Sequence, residues 1–225
     1  MFIICAALSG ISSSAFAYSY DCWTTMTGDG VVAFSPFVYA PTLSPLSLYS
    51  DMVVSYEITA NIDLFVNFAT IGFAPAFGYS GSWIIPRIDL GANNIIAVQI
   101  GANPTNFGST FYVAPQYHFF WENDSFAIEA NLIAKFVAAS IANPSFTFYA
   151  APSLKFAGGI VDVYCEVVPA YTVGGAFSFT VVPGLYFNME AGGQLSLGVG
   201  LGDLTTGTIN PGVFLSYIYT IATKK

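Results

Sequence analysis

Residues 111–136, FYVAPQYHFFWENDSFAIEANLIAKF, alternate in character on either side of a short polar turn. Before the turn, Phe111, Val113, Pro115, Tyr117 and Phe119 share one parity; Tyr112, Ala114, Gln116 and His118 share the other. After residues 121–125, Phe126, Ile128, Ala130, Leu132 and Ala134 oppose Glu129, Asn131 and Lys135. Successive side chains of a strand point to opposite faces, so the pattern predicts a hairpin with one apolar and one polar face. Extended along the chain, the same reading predicts about twelve strands. They fall near 31–40, 52–60, 62–72, 83–91, 94–102, 110–120, 125–136, 145–156, 160–171, 176–188, 192–201 and 208–221.

The links between strands have a rhythm. Residues 60–61, 92–93, 121–124, 157–159 and 189–191 are short connections. Longer Gly/Pro/Ser/Asn-rich links at 41–51, 73–82, 103–109, 137–144 and 202–207 fall between them. Only 172–175 is short where a long link is due. Short turns alternating with longer loops are what a transmembrane barrel has at its two ends. The later hairpins also repeat a unit: WIIPRIDL, YVAPQYHF, YAAPSLKF and TVVPGLYF each carry a proline shortly before a turn. Pro86, Pro115, Pro152 and Pro183 thus recur at about one per hairpin, as in a copied two-strand unit. Proline supplies no ladder donor, so each is expected at a bulge or a locally opened ladder position.

Composition decides which face meets water. The chain has 225 residues, of which 55% are hydrophobic and only 8% charged. A soluble domain carries roughly 25% charged residues, too many for this chain to match at an ordinary water-facing surface. Past the first residues, the apolar runs are broken by Gly, Pro, Asn or a charge, well short of the ~20 residues a membrane helix needs. The apolar face is therefore expected to look outward at lipid and the polar face inward at a shared axis. A net charge of −8 argues against nucleic acid or an anionic lipid surface as the main partner.

On the inward parity fall Glu57, Asp63, Arg87, Asp89, His118, Glu129, Lys135, Lys155, Asp162 and Glu166, joined by Asn67, Gln99, Gln116, Asn131 and Gln194. A Lys or Arg at the lipid midplane costs ~2–4 kcal/mol, which is the physical reason for such one-sided placement. These side chains either pair across neighbouring strands and fill a narrow lumen, or form a constriction. In the second case Arg87, Lys135 and Lys155 face Glu129, Asp162 and Glu166 and sort solutes. Aromatic residues crowd the strand ends, Tyr79 and Trp83 near one rim and Phe119, Phe120, Trp121 and Phe187 near the other, as in interfacial girdles.

Residues 1–17 read as a secretory leader: an apolar start, a small polar stretch and Ala15-Phe16-Ala17 as an A-x-A cleavage site, without the usual basic start. Residues 18–225 then form one domain. Cys22 and Cys165 are the cysteines outside the leader; no pair has metal-ligand spacing, and a disulfide between these two is left open.

The leader, the hairpin rhythm and the aromatic-rich segment Val213-Phe214-Leu215-Ser216-Tyr217-Ile218-Tyr219 together resemble a bacterial outer-membrane β-barrel of the porin-like class. The resemblance covers nearly the whole chain after residue 17, at the level of the class. It departs in having residues 220–225 after the last aromatic. It implies an all-β fold, a transmembrane up-and-down antiparallel barrel of about twelve strands, with ten or fourteen if an end pairing is misread. It further implies contact with outer-membrane lipid, with a homo-oligomer left open. Some barrels of this size resemble phospholipases with Ser, His and Asn on the lipid face. The one histidine, His118, lies on the inward parity, so no catalytic role is expected, nor a cofactor or metal. Passive passage of small solutes is the expected role. A closed structural or adhesive barrel, with loops 41–51 and 73–82 meeting a partner, is the alternative.

Overall fold

The computed structural model describes residues 31–156, 160–189 and 194–222. The leader expected over residues 1–17 and Cys22 lie outside them. Twelve strands follow in order: β1 (Val31–Leu43), β2 (Leu46–Thr59), β3 (Ile62–Ala74), β4 (Gly78–Gly91), β5 (Asn94–Ala102), β6 (Tyr112–Glu122), β7 (Phe126–Val137), β8 (Ser145–Phe156), β9 (Val161–Thr172), β10 (Phe177–Asn188), β11 (Gln194–Gly200) and β12 (Gly212–Ala222). Each pairs antiparallel with its neighbours in sequence, and β1 pairs with β12 through Val31↔Ala222 to Ala40↔Val213. The sheet is a closed up-and-down barrel without a free edge, which is how a strand fold satisfies its backbone in lipid.

One rim carries the start of β1, the end of β12, the turns after β2, β4 and β6, and the ends of β8 and β10. Among these, Ala92 and Asn93 both have positive φ, the geometry of a two-residue hairpin. The opposite rim carries the longer connections: a 3-10 turn (Pro104–Asn106) with helix α1 (Phe107–Thr110) between β5 and β6, a 3-10 turn (Ala138–Ser140) between β7 and β8, and another (Leu204–Thr206) between β11 and β12. In outer-membrane barrels the short-turn rim is periplasmic. The two rims are called inner and outer accordingly.

Two expected loops are mostly strand. Residues 41–51 and 73–82 contract to tight turns at Ser44-Pro45 and at residues 75–77, because β2 starts at Leu46 and β4 at Gly78. The alternation runs through both segments. Ser47 and Asp51 are buried inward, whereas Leu46 and Met52 are exposed outward. Pro, Ser and Gly there mark turns, not long loops.

The wall is apolar outside and polar inside. Leu132 is 52% exposed while its neighbour Asn131 is 1% exposed; Phe148 and Val163 look outward, while Tyr149, Asp162 and Tyr164 are buried within the barrel. Outward aromatic residues sit near both rims, with Phe73, Phe77 and Phe107 at the outer one and Trp121 and Phe156 at the inner one. Trp83 is not among them. It is half-buried against Val53, Phe65, Ile85 and Ala97 inside the barrel.

The in-strand prolines occupy interruptions of the ladder. Pairing of β4 with β5 passes from Ile84↔Ile100 to Arg87↔Ala97 across Pro86. That of β6 with β7 passes from Val113↔Phe136 to Gln116↔Ile133 across Pro115. On the β8–β9 interface it passes from Ala150↔Val167 to Ser153↔Tyr164 across Pro152. Pro36 falls in the β1–β12 gap between Phe34↔Tyr219 and Phe37↔Ser216, and β10–β11 pairing begins one residue past Pro183, at Gly184↔Gly198. The register is the same on both sides of the first four gaps, so these are opened positions and not bulges. Each proline keeps its partner on the other neighbour, as in Val98↔Pro115 and Ile128↔Pro152. A residue without N–H is thereby placed where no donor is called for.

Inside, large rings lie against glycines of adjacent strands. A Cβ on Gly101 would stand 2.6 Å from the Tyr112 ring, and one on Gly200 would stand 2.8 Å from the Phe214 ring. Tyr164 lies over Gly184 and Gly198 and stacks on Tyr186, 4.3 Å between ring centroids. These rings and their aliphatic neighbours form apolar clusters, one of Ala114, Ile133, Tyr149, Ala151 and Val168 and another of Phe37, Tyr39, Val182 and Phe214.

Candidate functional site: the polar inner wall

The polar side chains of the inner wall gather where strand register brings them level. On β3 and β4, Asp63 and Arg87 are directly paired residues, near the inner rim. Arg87 Nε donates to Asp63 Oδ1 at 2.8 Å and Nη2 to Oδ2 at 2.5 Å, with both side chains buried. The guanidinium also lies over the Phe65 ring, 4.1 Å from its centroid. A planar fork matched to a carboxylate satisfies both charges where water is scarce.

A chain of hydrogen bonds climbs β5 and β6 from that level. His118 Nε2 donates to Gln116 Oε1 (3.0 Å), Gln116 Nε2 to Gln99 Oε1 (3.1 Å), and Gln99 Nε2 to the Tyr112 hydroxyl (2.9 Å). Lys135 Nζ stands over the same Tyr112 ring, 4.1 Å from its centroid. Both Gln116 and His118 are buried. Nearer the outer rim, Asp51 accepts from the Tyr39 hydroxyl (3.3 Å) and from Asn67 Nδ2 (3.2 Å).

On the opposite wall, Lys155 Nζ bonds Glu122 Oε2 at 2.5 Å at the inner rim. Asp162 is level with Lys155 in the β8–β9 register, yet its Oδ2 accepts from Asn188 Nδ2 (3.0 Å), and Asn188 Oδ1 accepts from Gln194 Nε2 (2.8 Å). Glu129 on β7 pairs with Ala151 on β8, and Glu166 on β9 pairs with Val182 on β10. Both Glu166 carboxylate oxygens are buried and accept from no donor. Glu57 on β2 is buried, and Asp89 on β4 is half-buried and caps the inner turn through Gly91 N–H at 2.7 Å.

The ten ionisable residues expected on the inward parity lie there, and of the two expected arrangements Arg87 follows the first, pairing across neighbouring strands. Arg87 is held by Asp63 and Lys155 by Glu122, so neither faces Glu129, Asp162 or Glu166 as a bare cation. Cross-strand register, fixed by the tight outer turns, decides those partners. Asp51, in a segment expected as a loop, and the tyrosines Tyr39, Tyr149 and Tyr164 also line the inner wall, beyond the expected set. Their shared parity with Val53, Thr147 and Asp162 was the available signal. Cys165 is exposed on the outer wall and has no disulfide partner among the described residues. Among the described residues, no group of three or more His, Cys, Asp or Glu side chains could hold a metal ion.

No protein-family model and no curated protein matches the sequence. Solved structures do match the fold. The KdgM porin in complex with disordered oligogalacturonate aligns with a TM-score of 0.59 at 9% identity, covering 84% of this chain and 98% of that one. The KdgM porin alone aligns at 0.55 and 9% identity, over 83% and 98% of the two chains. The COG4313 outer membrane channel from Pseudomonas putida F1 aligns at 0.52 and 12% identity, over 85% and 96%. At such identities the likeness is one of fold. A closed antiparallel twelve-strand meander with an apolar outer wall and a polar inner one is the architecture of the porin-like outer-membrane β-barrels.

Proposed function

We propose that this chain, delivered by the leader over residues 1–17, is a passive channel for small solutes in the bacterial outer membrane. The observation that carries the reading is the sorting of the wall. Charged and amide side chains from β2 through β11 converge on one axis, while the lipid-facing side is aliphatic and aromatic. A barrel that served only as an anchor needs no such inward network, since apolar packing fills a bore at less desolvation cost. The alternative of an adhesive barrel loses support because residues 41–51 and 73–82 are mostly wall, leaving little to protrude there. Oligogalacturonate, bound by the KdgM porin, is a sugar acid, and the acidic inner wall of this chain is a poor match for it. Catalysis has no support in the site: His118 is engaged with Gln116, away from the lipid face. The test is conductance. Full-length protein refolded into a planar bilayer should give reproducible unit steps, whereas silence from folded, inserted protein would leave a closed barrel as the function.

A further inference from the structure

The acids of the β7–β9 wall are not balanced by the cations of the barrel. Arg87 is neutralised by Asp63 and Lys155 by Glu122. Lys135 is on the same strand and face as Glu129, but six residues away, or about 20 Å along an extended chain. That exceeds the ~10 Å Debye length at 0.1 M salt, so Lys135 does little to offset Glu129. Glu129 and Glu166 make no ion pair among the described residues, and Asp162 Oδ1 and both oxygens of Glu166 are buried without a donor.

The geometry sets two of these carboxylates on either side of a small residue. Glu129 is the partner of Ala151 in the β7–β8 ladder. Continuing the constant β8–β9 register across the Pro152 gap makes Glu166 the residue level with Ala151 on the far side. The two backbones stand two strand spacings apart, about 10 Å, with only a methyl group between the two side chains. A fully buried carboxylate with no donor is a strong exception to the rule that interior polar groups are hydrogen-bonded. A group that brings positive charge would complete it: an alkali ion, or a small ammonium that also brings N–H donors.

We propose that the barrel takes small cations, and that Glu129 and Glu166, flanking Ala151, form the site at which they bind on the way through. The inference rests on the channel reading and names its solute class. The probe is potassium chloride. Full-length protein in a planar bilayer under a tenfold KCl gradient should reverse at a potential of the sign that marks potassium as the more permeant ion. Glu166→Gln and Glu129→Gln keep the side-chain shape and should each lower the potassium-to-chloride permeability ratio, by about fivefold if one unit charge acts at ~4 Å in a water-like medium. Wild-type protein that conducts without preference, or prefers chloride, overturns the cation assignment and leaves the channel standing. Conducting variants with the wild-type ratio overturn the site. Wild-type protein that is folded, inserted and silent overturns the channel reading and this inference with it. The wild-type reversal potential decides the solute class even if a variant fails to fold.

Discussion

At the residue scale, the Arg87–Asp63 pair is the most committed electrostatic contact of the barrel, and its energetics have a clear sign. Both side chains are buried and bonded through two contacts. Removing one partner leaves an uncompensated charge inside, a loss of about 3–5 kcal/mol, whereas replacing both with apolar groups costs far less. Arg87→Met should therefore lower the unfolding free energy measured by urea titration in lipid vesicles by about that amount. The double variant Arg87→Met/Asp63→Leu should recover most of the loss. Recovery would not occur if each residue were held by separate partners. The inward placement of both residues was legible from parity alone, because Asp63 alternates with Leu64 and Arg87 with Pro86 and Ile88. Their partnership was not. It depends on where β3 turns into β4, and Pro75, Gly78 and Gly81 made that turn look several residues wider than it is.

At the element scale, the link from β11 to β12 shows how a long outer connection is kept in order. Asp203 accepts from the backbone N–H of Phe179 on β10 (3.0 Å) and from Thr205 N–H (3.0 Å) and hydroxyl (2.8 Å), which starts the 3-10 turn at Leu204. Partial burial pushes its carboxyl pKa up, but the hydrogen bonds from Phe179 and Thr205 outweigh it and hold the pKa below the usual carboxylate range. A folded-state pKa that is depressed gives stabilisation present above the ordinary aspartate value and lost as pH falls through the lowered one. Amide protection in residues 201–211, the exchange rate relative to the intrinsic rate at each pH, should thus be high and steady from neutral to mildly acidic pH. It should fall at strongly acid pH, and Asp203→Asn should remove that pH dependence of the protection. A wild-type profile identical to the variant's would show that the ionised form does not hold the link. The strands flanking such links were nearly all readable from alternation. The two that began earlier than expected, β2 and β4, show that turn-forming residues mark where a chain bends and say little about how long the bend is.

At the scale of the whole molecule, the fold is a soluble protein's pattern turned inside out, and one substitution on the outer face tests that directly. Leu132 is on the outward face of β7, far from either rim, and Asn131 beside it is buried. Leu132→Arg should cost about 2–4 kcal/mol when unfolding is measured in a bilayer, the penalty for a cation near the lipid midplane. A cost near zero would mean that this face meets water. That the polar parity faces inward followed from composition, since 8% charged residues cannot cover a water-exposed surface. Strand number and closure followed from the rhythm of the links. Which residues share an ion pair, and which acids go without one, followed from neither. Those facts belong to register summed around the ring, and a slip of one residue at any hairpin would rewrite them.

The rings folded back over glycine have a consequence for calibre. How far Tyr112 reaches toward the axis depends on the bare backbone at Gly101, and Phe214 depends in the same way on Gly200. A methyl group at either position, on a strand that neither ring belongs to, would tip the aromatic plane off its backing and swing it inward like a shutter. The free cross-section of such a cylinder is therefore set by which neighbouring positions were left without a side chain, as well as by how many staves it contains.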